Sequence, residues 1–331
     1  MGHAIADYAH CDSRKNEIHL TCLQKLRSNS TNMKTSRRHF LQSTVTVLAA
    51  TTAGAPLFAA NEKPKRQLKK AIMYGTIGYK GTVLDKFRAL KAAGFEGVEP
   101  NSHMDQDEVM RAFDETGLKA ASVCGSLHWS KPLSSPDEKV RAESLEALKQ
   151  TLRDAKRYGA TSVLLVPGVV NKNVPYDECW QRSIAGIRQA IPLCEELGVK
   201  IAVENVWNNF LMKPAQAKQY LDEIDSPWVG WHFDIGNMVK FGPSEEWVAL
   251  LGKRILKLHI KDYSNAVDAN GKSKGFGVKL LEGSVNWPAV MRELDKCGYT
   301  GWAITEQPGA QTKDAESLKE FSATLGKVLA S

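Results

Sequence analysis

Residues 196–205 read Glu196-Leu197-Gly198-Val199-Lys200-Ile201-Ala202-Val203-Glu204-Asn205. A helical pattern ends at the glycine, and an apolar run begins two residues later, as where a helix leads into a buried parallel strand. The same junction recurs at Ala92-Ala93-Gly94, Glu115-Thr116-Gly117 and Arg157-Tyr158-Gly159. This repetition is typical of a chain in which β-strands and α-helices alternate.

Eight β-rich segments follow residue 70, and a helical pattern comes after each. We predict strands at Ala71–Ile77, Gly97–Asn101, Lys119–Ser126, Ser162–Pro167, Lys200–Val206, Val229–Asn237, Ile255–Asp262 and Trp302–Gln307. Eight βα units in about 260 residues favour a closed barrel, and no GxGxxG turn follows the first strand as an open dinucleotide-binding sheet would require. We therefore predict an α/β fold, a (β/α)8 TIM barrel, as a single domain over residues 71–331.

Two local features add detail to this barrel. Ser135-Pro136-Asp137-Glu138 predicts a helix start with the proline at the first helical position. The long segment Tyr263–Ser284 is rich in Gly, Lys and Ser, and we predict a mobile loop over the barrel mouth there.

Residues 1–60 carry an export pattern. Arg37 and Arg38 precede the uncharged run Ser43–Ala60, which is the layout of a twin-arginine signal. We expect translation to start at Met33, the twin-arginine translocase to be a partner, and the mature protein to be periplasmic, with residues 61–70 as a linker. The alternative is an amphipathic surface helix that two arginines precede by chance.

Charge argues against nucleic acid as a partner. Residues 1–60 hold seven Lys/Arg and three Asp/Glu, net +4, which leaves +3 of the total +7 for residues 61–331. An excess this small makes no basic stripe of the kind that phosphate backbones need. The four cysteines of this body, Cys124, Cys179, Cys194 and Cys297, show no CxxC spacing and are expected as buried apolar residues, with a Cys179–Cys194 disulfide as the alternative.

Four predicted strands carry a carboxylate or imidazole near their C-terminal ends, where barrel enzymes place reacting groups. These residues are Glu204, Asp234, His259 and Glu306. Each alone could be a core residue whose polar group is hydrogen-bonded or ion-paired within the protein. Three carboxylates at one barrel end, however, would repel one another without a cation between them. Three oxygen donors and one nitrogen donor, without a thiolate, favour six-coordinate Mn2+ first, then Mg2+ or Co2+, with Zn2+ as an alternative.

Other polar and aromatic residues near the strand ends are candidates for binding substrate. We expect this role for Glu99, His128, Trp129, Asn205, His232, Asn237 and Lys261. Aromatic rings and hydrogen-bonding groups of this kind commonly bind sugars. His232 has a second interpretation as a core histidine one layer below the site, and Lys261 has one as a solvated lysine.

The residues resemble the xylose-isomerase-like barrels called sugar phosphate isomerases/epimerases, which include ketose 3-epimerases, hydroxypyruvate isomerases and inosose dehydratases. The likeness is strongest at 94–99, 203–205, 233–237, 259–262 and 305–306. It implies that Glu204, Asp234, His259 and Glu306 are metal ligands and that Glu204 and Glu306 are the acid/base pair. Many members have histidine where this chain has Asn237, a departure that bears on the substrate. The body has four histidines, at 103, 128, 232 and 259, too few for the three-metal site of the endonuclease branch.

These observations predict a metal-dependent isomerase or epimerase of a small sugar or polyol, acting through an enediolate. The alternative with the same parts is a lyase, dehydratase or 3-keto-glycoside-cleaving enzyme, because an enediolate with a β-leaving group eliminates. A non-catalytic sugar-binding barrel is a third interpretation. The sequence is compatible with a homo-oligomer but shows no apolar stripe that specifies one.

Overall fold

The computed structural model describes residues 66–269, 271–307 and 311–331. The predicted export signal therefore lies outside the described residues, as do residues 61–65 of the predicted linker. The linker prediction was too long at its end, because the first strand already begins at Lys69. Strand pairing sets this boundary, since Lys69 already pairs with Trp302 of the last parallel strand.

Parallel strands form the closed barrel that the sequence predicted. They are β1 (Lys69–Met73), β2 (Gly97–Glu99), β3 (Lys119–Ala120), β4 (Val123–Cys124), β5 (Ser162–Leu165), β6 (Lys200–Glu204), β7 (Val229–Asp234), β8 (Ile255–Ile260) and, after a two-stranded insertion, β11 (Trp302–Thr305). β1 pairs with β2 on one side and β11 on the other. The described residues thus place all eight predicted strands in one sheet.

The third strand of the barrel is divided in two. β3 pairs with β2, whereas β4 pairs with β5, and a bridge from Asn101 to Cys124 joins the second strand to β4. The single strand predicted over Lys119–Ser126 therefore exists as two short pieces. Together they nearly close the ring between β2 and β5.

Helices cover the outside of the barrel. They are α1 (Val83–Ala92), α2 (Gln106–Thr116), α3 (Glu138–Tyr158), α4 (Tyr176–Leu197), α5 (Pro214–Ile224), α6 (Ile235–Met238), α7 (Ser244–Leu251), α8 (Trp287–Cys297) and α9 (Ala315–Ala330). α3 and α4 end at Gly159 and Gly198, both left-handed, a conformation that glycine adopts without strain. None of the helices in the described ranges has the length and hydropathy that crossing a membrane requires.

The predicted start of α3 was wrong by two residues. Its N-cap is Asp137, whose carboxylate accepts a hydrogen bond from the Lys139 amide at 2.8 Å. Ser135 instead bonds to the Asp137 amide at 3.2 Å, within the turn before the helix. An aspartate cap satisfies a free helix N–H and also favours the positive end of the helix dipole.

The segment after β8 contains an antiparallel pair, β9 (Ser264–Val267) and β10 (Ser273–Gly275). The buried carboxylate of Asp262 fastens both ends of this insertion. It accepts hydrogen bonds from five N–H groups: the amides of Tyr263, Leu281, Gly283 and Val285, and the indole of Trp287, at 3.0 to 3.3 Å. Gly283 must be glycine, because a Cβ there would lie 1.9 Å from the Asp262 carboxylate. The predicted mobile loop is thus anchored to the barrel.

The main hydrophobic core lies between the strands and the helices. β5 and β7 are buried along their whole length, as expected for parallel strands covered by helices. Stacked and edge-on rings fill the space, for example Phe233 on Trp247 at 5.8 Å. Cys124, Cys179, Cys194 and Cys297 are free thiols, the first three of them buried, so no disulfide joins Cys179 to Cys194.

Candidate metal centre

The barrel brings the four predicted ligands together at the C-terminal ends of its strands. Glu204 and Asp234 are the last residues of β6 and β7, His259 is the penultimate residue of β8, and Glu306 follows β11. The strand register pairs His259 with Asp234 on one side and with Ile304 on the other. Because parallel strands end at the same rim, the side chains at the ends of these four neighbouring strands converge there.

His259 is at the centre of this group. Its Nδ1 atom lies 2.9 Å from Glu204 Oε1, 3.3 Å from Glu306 Oε2 and 3.9 Å from Asp234 Oδ2. One donor atom from each of the four residues lies within 4.8 Å of all the others. Glu204, Asp234 and His259 are buried, and Glu306 is partly exposed toward the barrel mouth.

The Lys261 ammonium supplies positive charge among these carboxylates. It lies 2.9 Å from Asp234 Oδ2 and 2.6 Å from Glu306 Oε2. Burial disfavours a charged lysine, but Asp234 and Glu306 outweigh it and hold the pKa of Lys261 above its usual value. Burial likewise opposes ionisation of Glu306, yet Lys261 and His259 keep its pKa well below the usual range. Lys261 and His259 therefore offset part of the repulsion among these carboxylates.

The donor set fits a hard divalent ion. Three carboxylates and one imidazole offer oxygen and nitrogen without a thiolate, which suits Mn2+, Mg2+ or Co2+ better than a structural zinc site. The donor atoms lie within 4.8 Å of one another, close to the separation of about 4.6 Å that bond lengths of about 2.0 to 2.3 Å permit around one ion, so small side-chain shifts would let one ion reach all four. Glu204, Asp234, His259 and Glu306 are thus a candidate metal site.

Glu99 orients the histidine from below. Its Oε2 atom lies 2.8 Å from His259 Nε2, and both side chains are buried. A carboxylate can only accept, so Nε2 donates to Glu99, and Nδ1 is the ring nitrogen that faces the three other carboxylates. Carboxylate partners of this kind fix the tautomer and ring orientation of metal-binding histidines. Glu99, expected at the pocket wall, therefore acts on the site through His259.

We expect Glu99→Gln to weaken binding of Mn2+ by about 10- to 100-fold, because the amide no longer fixes the His259 tautomer. Titration calorimetry with Mn2+ would measure this directly, without need of a substrate. Glu96→Gln is the matched control, since Glu96 precedes the same strand but is exposed, and it should leave the affinity unchanged. Equal affinity in both variants would contradict the positioning role of Glu99.

Protons compete with the metal for the same ligand atoms. Burial opposes protonation of His259, but Glu99, Glu306 and Glu204 outweigh it and hold its pKa well above the usual value. Burial raises the pKa of Asp234 to about 8, although Lys261 opposes that shift. Below these pKa values both ligands carry protons that a bound cation must displace, so lowering the pH weakens binding.

We therefore expect the affinity for Mn2+ to rise by about tenfold per pH unit for each proton released, between about pH 6 and pH 8. Calorimetry in two buffers of different ionisation enthalpy counts the protons that leave on binding. An affinity that does not change over this range, with no proton release, would show that the ligand atoms are already deprotonated.

Asn205 holds the Asp234 backbone in place. Its amide Nδ2 donates to the Asp234 carbonyl at 2.7 Å, and its Oδ1 accepts from the Asp234 amide at 3.1 Å and from the Trp231 indole at 2.9 Å. The side chain is fully buried and does not line the cavity above the site. Asn205, expected to bind substrate, thus contacts the backbone of the candidate ligand Asp234 and lies outside the cavity lining.

His232 also lies beneath the site. It is fully buried, its ring packs edge-on against His259 with centroids 4.1 Å apart, and neither ring nitrogen has a hydrogen-bond partner among the described residues. Burial, with the nearby His259 and Lys257, lowers its pKa well below the usual value. Of its two sequence interpretations, the position matches a core histidine one layer below the ligands.

A cavity of about 270 Å³ opens above the four ligands. Four residues predicted to bind substrate line it: His128, Trp129, Asn237 and Lys261. Met73, Cys124, Leu164, Val206, Trp207 and Phe276 also line it and were not predicted. Burial lowers the pKa of His128 to about 4, and its Nδ1 accepts from the Val166 amide at 3.3 Å. His128 is therefore a neutral imidazole that carries its proton on Nε2.

Comparison with known proteins gives a family match and curated relatives. Residues 87–325 match the family model described as "Xylose isomerase-like TIM barrel". The L-ribulose-5-phosphate 3-epimerase UlaE of Shigella flexneri is 27% identical over 267 residues, covering 74% of this chain and 92% of that protein. Its counterpart in Escherichia coli K12 is 26% identical, with the same coverage.

Solved structures of sugar epimerases share the fold. The 3-keto-D-glucoside 4-epimerase YcjR from E. coli superposes with a TM-score of 0.66 at 18% identity, covering 80% of this chain and 100% of that one. The D-allulose 3-epimerase of a Methylomonas species, solved with D-allulose, gives 0.64 at 15% identity, covering 80% and 97%. Likeness at these identities establishes the common barrel.

Proposed function

The chain belongs to the xylose isomerase-like TIM barrel family, and from that premise we propose that it is a divalent-metal-dependent epimerase or isomerase of a small sugar. One observation carries the proposal: Glu204 and Glu306 both reach the same cavity and both contact His259 Nδ1, at 2.9 and 3.3 Å. Two carboxylates at one small cavity supply an acid and a base for proton transfer. Curated relatives whose names describe ribulose-phosphate 3-epimerases support the reaction class.

Four residues would hold the metal: Glu204, Asp234, His259 and Glu306. A bound divalent cation would act as a Lewis acid toward the sugar oxygens and so make the proton beside the carbonyl more acidic. One carboxylate, from Glu204 or Glu306, then takes that proton on an oxygen atom. The other returns a proton to the same carbon, which gives an epimer, or to the neighbouring carbon, which gives the aldose or ketose isomer.

The remaining cavity residues orient the sugar. Lys261, whose ammonium lies beside Glu306, donates to a substrate oxygen and keeps the carboxylate in position. His128 offers an Nε2–H donor, and the Asn237 amide replaces the histidine that many family members have. An amide both donates and accepts but carries no charge, so it recognises a neutral hydroxyl.

The test is proton NMR in deuterated water with metal-loaded protein and a panel of free ketoses, inososes and 3-keto-glycosides. Deuterium beside the carbonyl together with an accumulating isomer supports the proposal. Loss of water or of a glycosidic group would instead identify the lyase that uses the same parts. Ligand binding without any exchange would identify a sugar-binding barrel.

We further propose that the protein is exported through the twin-arginine pathway to the periplasm, starting from Met33. The support is the sequence of residues 33–60, in which Arg37 and Arg38 precede an uncharged run. Replacing both arginines with lysine should abolish export, because this pathway reads the pair itself. Cell fractionation measures the outcome, and unchanged periplasmic protein in the double-lysine variant would contradict the proposal.

A further inference from the structure

Aromatic side chains stand exposed at the mouth of the cavity. Trp129 and Trp207 line the cavity, yet 53% and 40% of their surfaces are exposed, and Phe241, 49% exposed, packs edge-on against Trp207 at 5.6 Å. Apolar surface in water costs about 25 cal/mol per Å². Exposed apolar groups collected at one place mark a binding surface more often than scattered ones do. The proton transfer proposed above uses none of these rings.

Trp207 is held rigidly although it is exposed. Its indole N–H donates to the Asn237 carbonyl at 2.6 Å. The rings of Tyr263 and Phe276 contact it at centroid distances of 5.4 and 5.2 Å. A ring fixed by its neighbours in this way loses little conformational entropy when a ligand stacks on it. Trp207 is therefore a preformed platform.

The cavity is too small to enclose two sugar rings. Pockets that enclose drug-sized ligands measure about 300 to 1,000 Å³, whereas this cavity measures about 270 Å³. It has room for one small sugar ring above the metal ligands. A second ring attached to that sugar must extend past the rim, where Trp129 and Trp207 are exposed.

The charges that line the cavity favour an uncharged second group over a phosphate. Phosphate sites use arginine or several cations, but Lys261 is the one Lys or Arg side chain among the described residues that line this cavity. Its ammonium is already paired with Asp234 and Glu306. At the rim, the Lys240 ammonium is engaged by the Trp207 ring, 4.8 Å from its centroid. Indole faces, in contrast, suit the apolar faces of sugar rings.

We propose that Trp129 and Trp207 form an outer subsite for a second, uncharged sugar ring, so that the preferred substrate is a disaccharide or other glycoside. This inference rests on the proposed function and adds the substrate class. The carbonyl-bearing residue of the substrate enters the cavity, and the glycosidically linked ring stacks at the rim.

The experiment compares D-fructose with three disaccharides that carry a glycosyl group on fructose at different positions: turanose, lactulose and isomaltulose. Calorimetry with the metal-loaded protein gives the affinities, and deuterium exchange gives turnover for the same sugars. We expect at least one disaccharide to bind about tenfold or more tightly than D-fructose, a difference of about 1.4 kcal/mol.

In the variant Trp129→Ala, the ratio of the affinity for the preferred disaccharide to the affinity for D-fructose should be close to one. Trp129 is exposed and, among the described residues, its ring contacts one other aromatic ring, that of His128, so its removal should not unfold the barrel. Leu250→Ala is the control, because Leu250 is similarly exposed on α7 and does not line the cavity. It should leave the ratio as it is.

Two outcomes would contradict the proposed subsite. In the first, the disaccharides bind no more tightly than D-fructose, or do not bind at all. In the second, the Trp129→Ala variant keeps the full preference for a disaccharide over D-fructose. Failure of the proposed function looks different. In that case the preference for disaccharides and its loss in Trp129→Ala persist in calorimetry, while no sugar takes up deuterium.

Discussion

Glu204→Gln and Glu306→Gln are each expected to lower kcat by about 1,000-fold or more. Each substitution keeps the shape of the side chain but removes the carboxylate that accepts or returns the proton, a contribution of about 10² to 10⁴. The same change also weakens a metal ligand, since a neutral amide oxygen replaces a charged one. The measurement is the rate of deuterium incorporation at saturating sugar and Mn2+, using the sugar that the panel identifies.

Metal content must be determined alongside this rate, so that loss of the ion is separated from loss of the proton carrier. Glu246→Gln serves as the control, because this glutamate is exposed on α7 and does not line the cavity. It should retain normal turnover. Near-normal turnover in either Glu204→Gln or Glu306→Gln, with the metal still bound, would be incompatible with a two-glutamate acid/base pair.

Asp262→Ala is expected to reduce the free energy of unfolding by about 3 kcal/mol or more. The substitution leaves five N–H groups without their acceptor, four on the backbone of the insertion and one on Trp287. Buried donors that lose a partner cost about 1 to 3 kcal/mol each, with partial relief from water. For a domain of this size the loss corresponds to a decrease in Tm of roughly 6 to 12 °C.

Thermal unfolding followed by circular dichroism measures this decrease. Asp177→Ala is the matched control, because Asp177 is exposed in the first turn of α4 and its loss should change stability by no more than about 0.5 kcal/mol. If Asp262→Ala unfolds at the wild-type temperature, the insertion does not depend on this carboxylate for its anchorage.

The barrel and its four ligand residues could be predicted because each follows from a local pattern. A strand buried on both faces is a continuous apolar run, and a carboxylate at its C-terminal end is conspicuous in such a run. Glu204 and Asp234 illustrate this, since each directly follows buried apolar residues. Parallel strands then bring such ends together without further information from the sequence.

Depth within the barrel could not be predicted in the same way. Strands of a barrel are tilted and staggered, so residues at the ends of two strands lie at different heights. Glu99 ends β2 just as Glu204 ends β6, yet Glu99 lies below His259 and Glu204 beside it. The register between neighbouring strands decides this height, and it is visible only in the folded sheet.

Two further aromatic residues of the cavity, Trp207 and Phe276, were missed for a different reason. Trp207 follows the end of β6 by three residues, and Phe276 lies within the insertion after β8. Their position depends on how two loops fold over the rim, and no periodic pattern specifies that path. An exposed tryptophan in a loop next to a barrel strand was the one available signal.

The Lys261 ammonium gives the folded barrel a counter-ion of its own. A protein whose carboxylates depended on a metal to offset their repulsion would acquire its fold and its ion together, as small zinc domains do. Here the lysine stabilises the carboxylates from within the same chain. A divalent ion would then bind to a barrel that is already folded, at a site where the lysine already supplies positive charge. Supply of the ion, and not folding, would decide when such a protein becomes active.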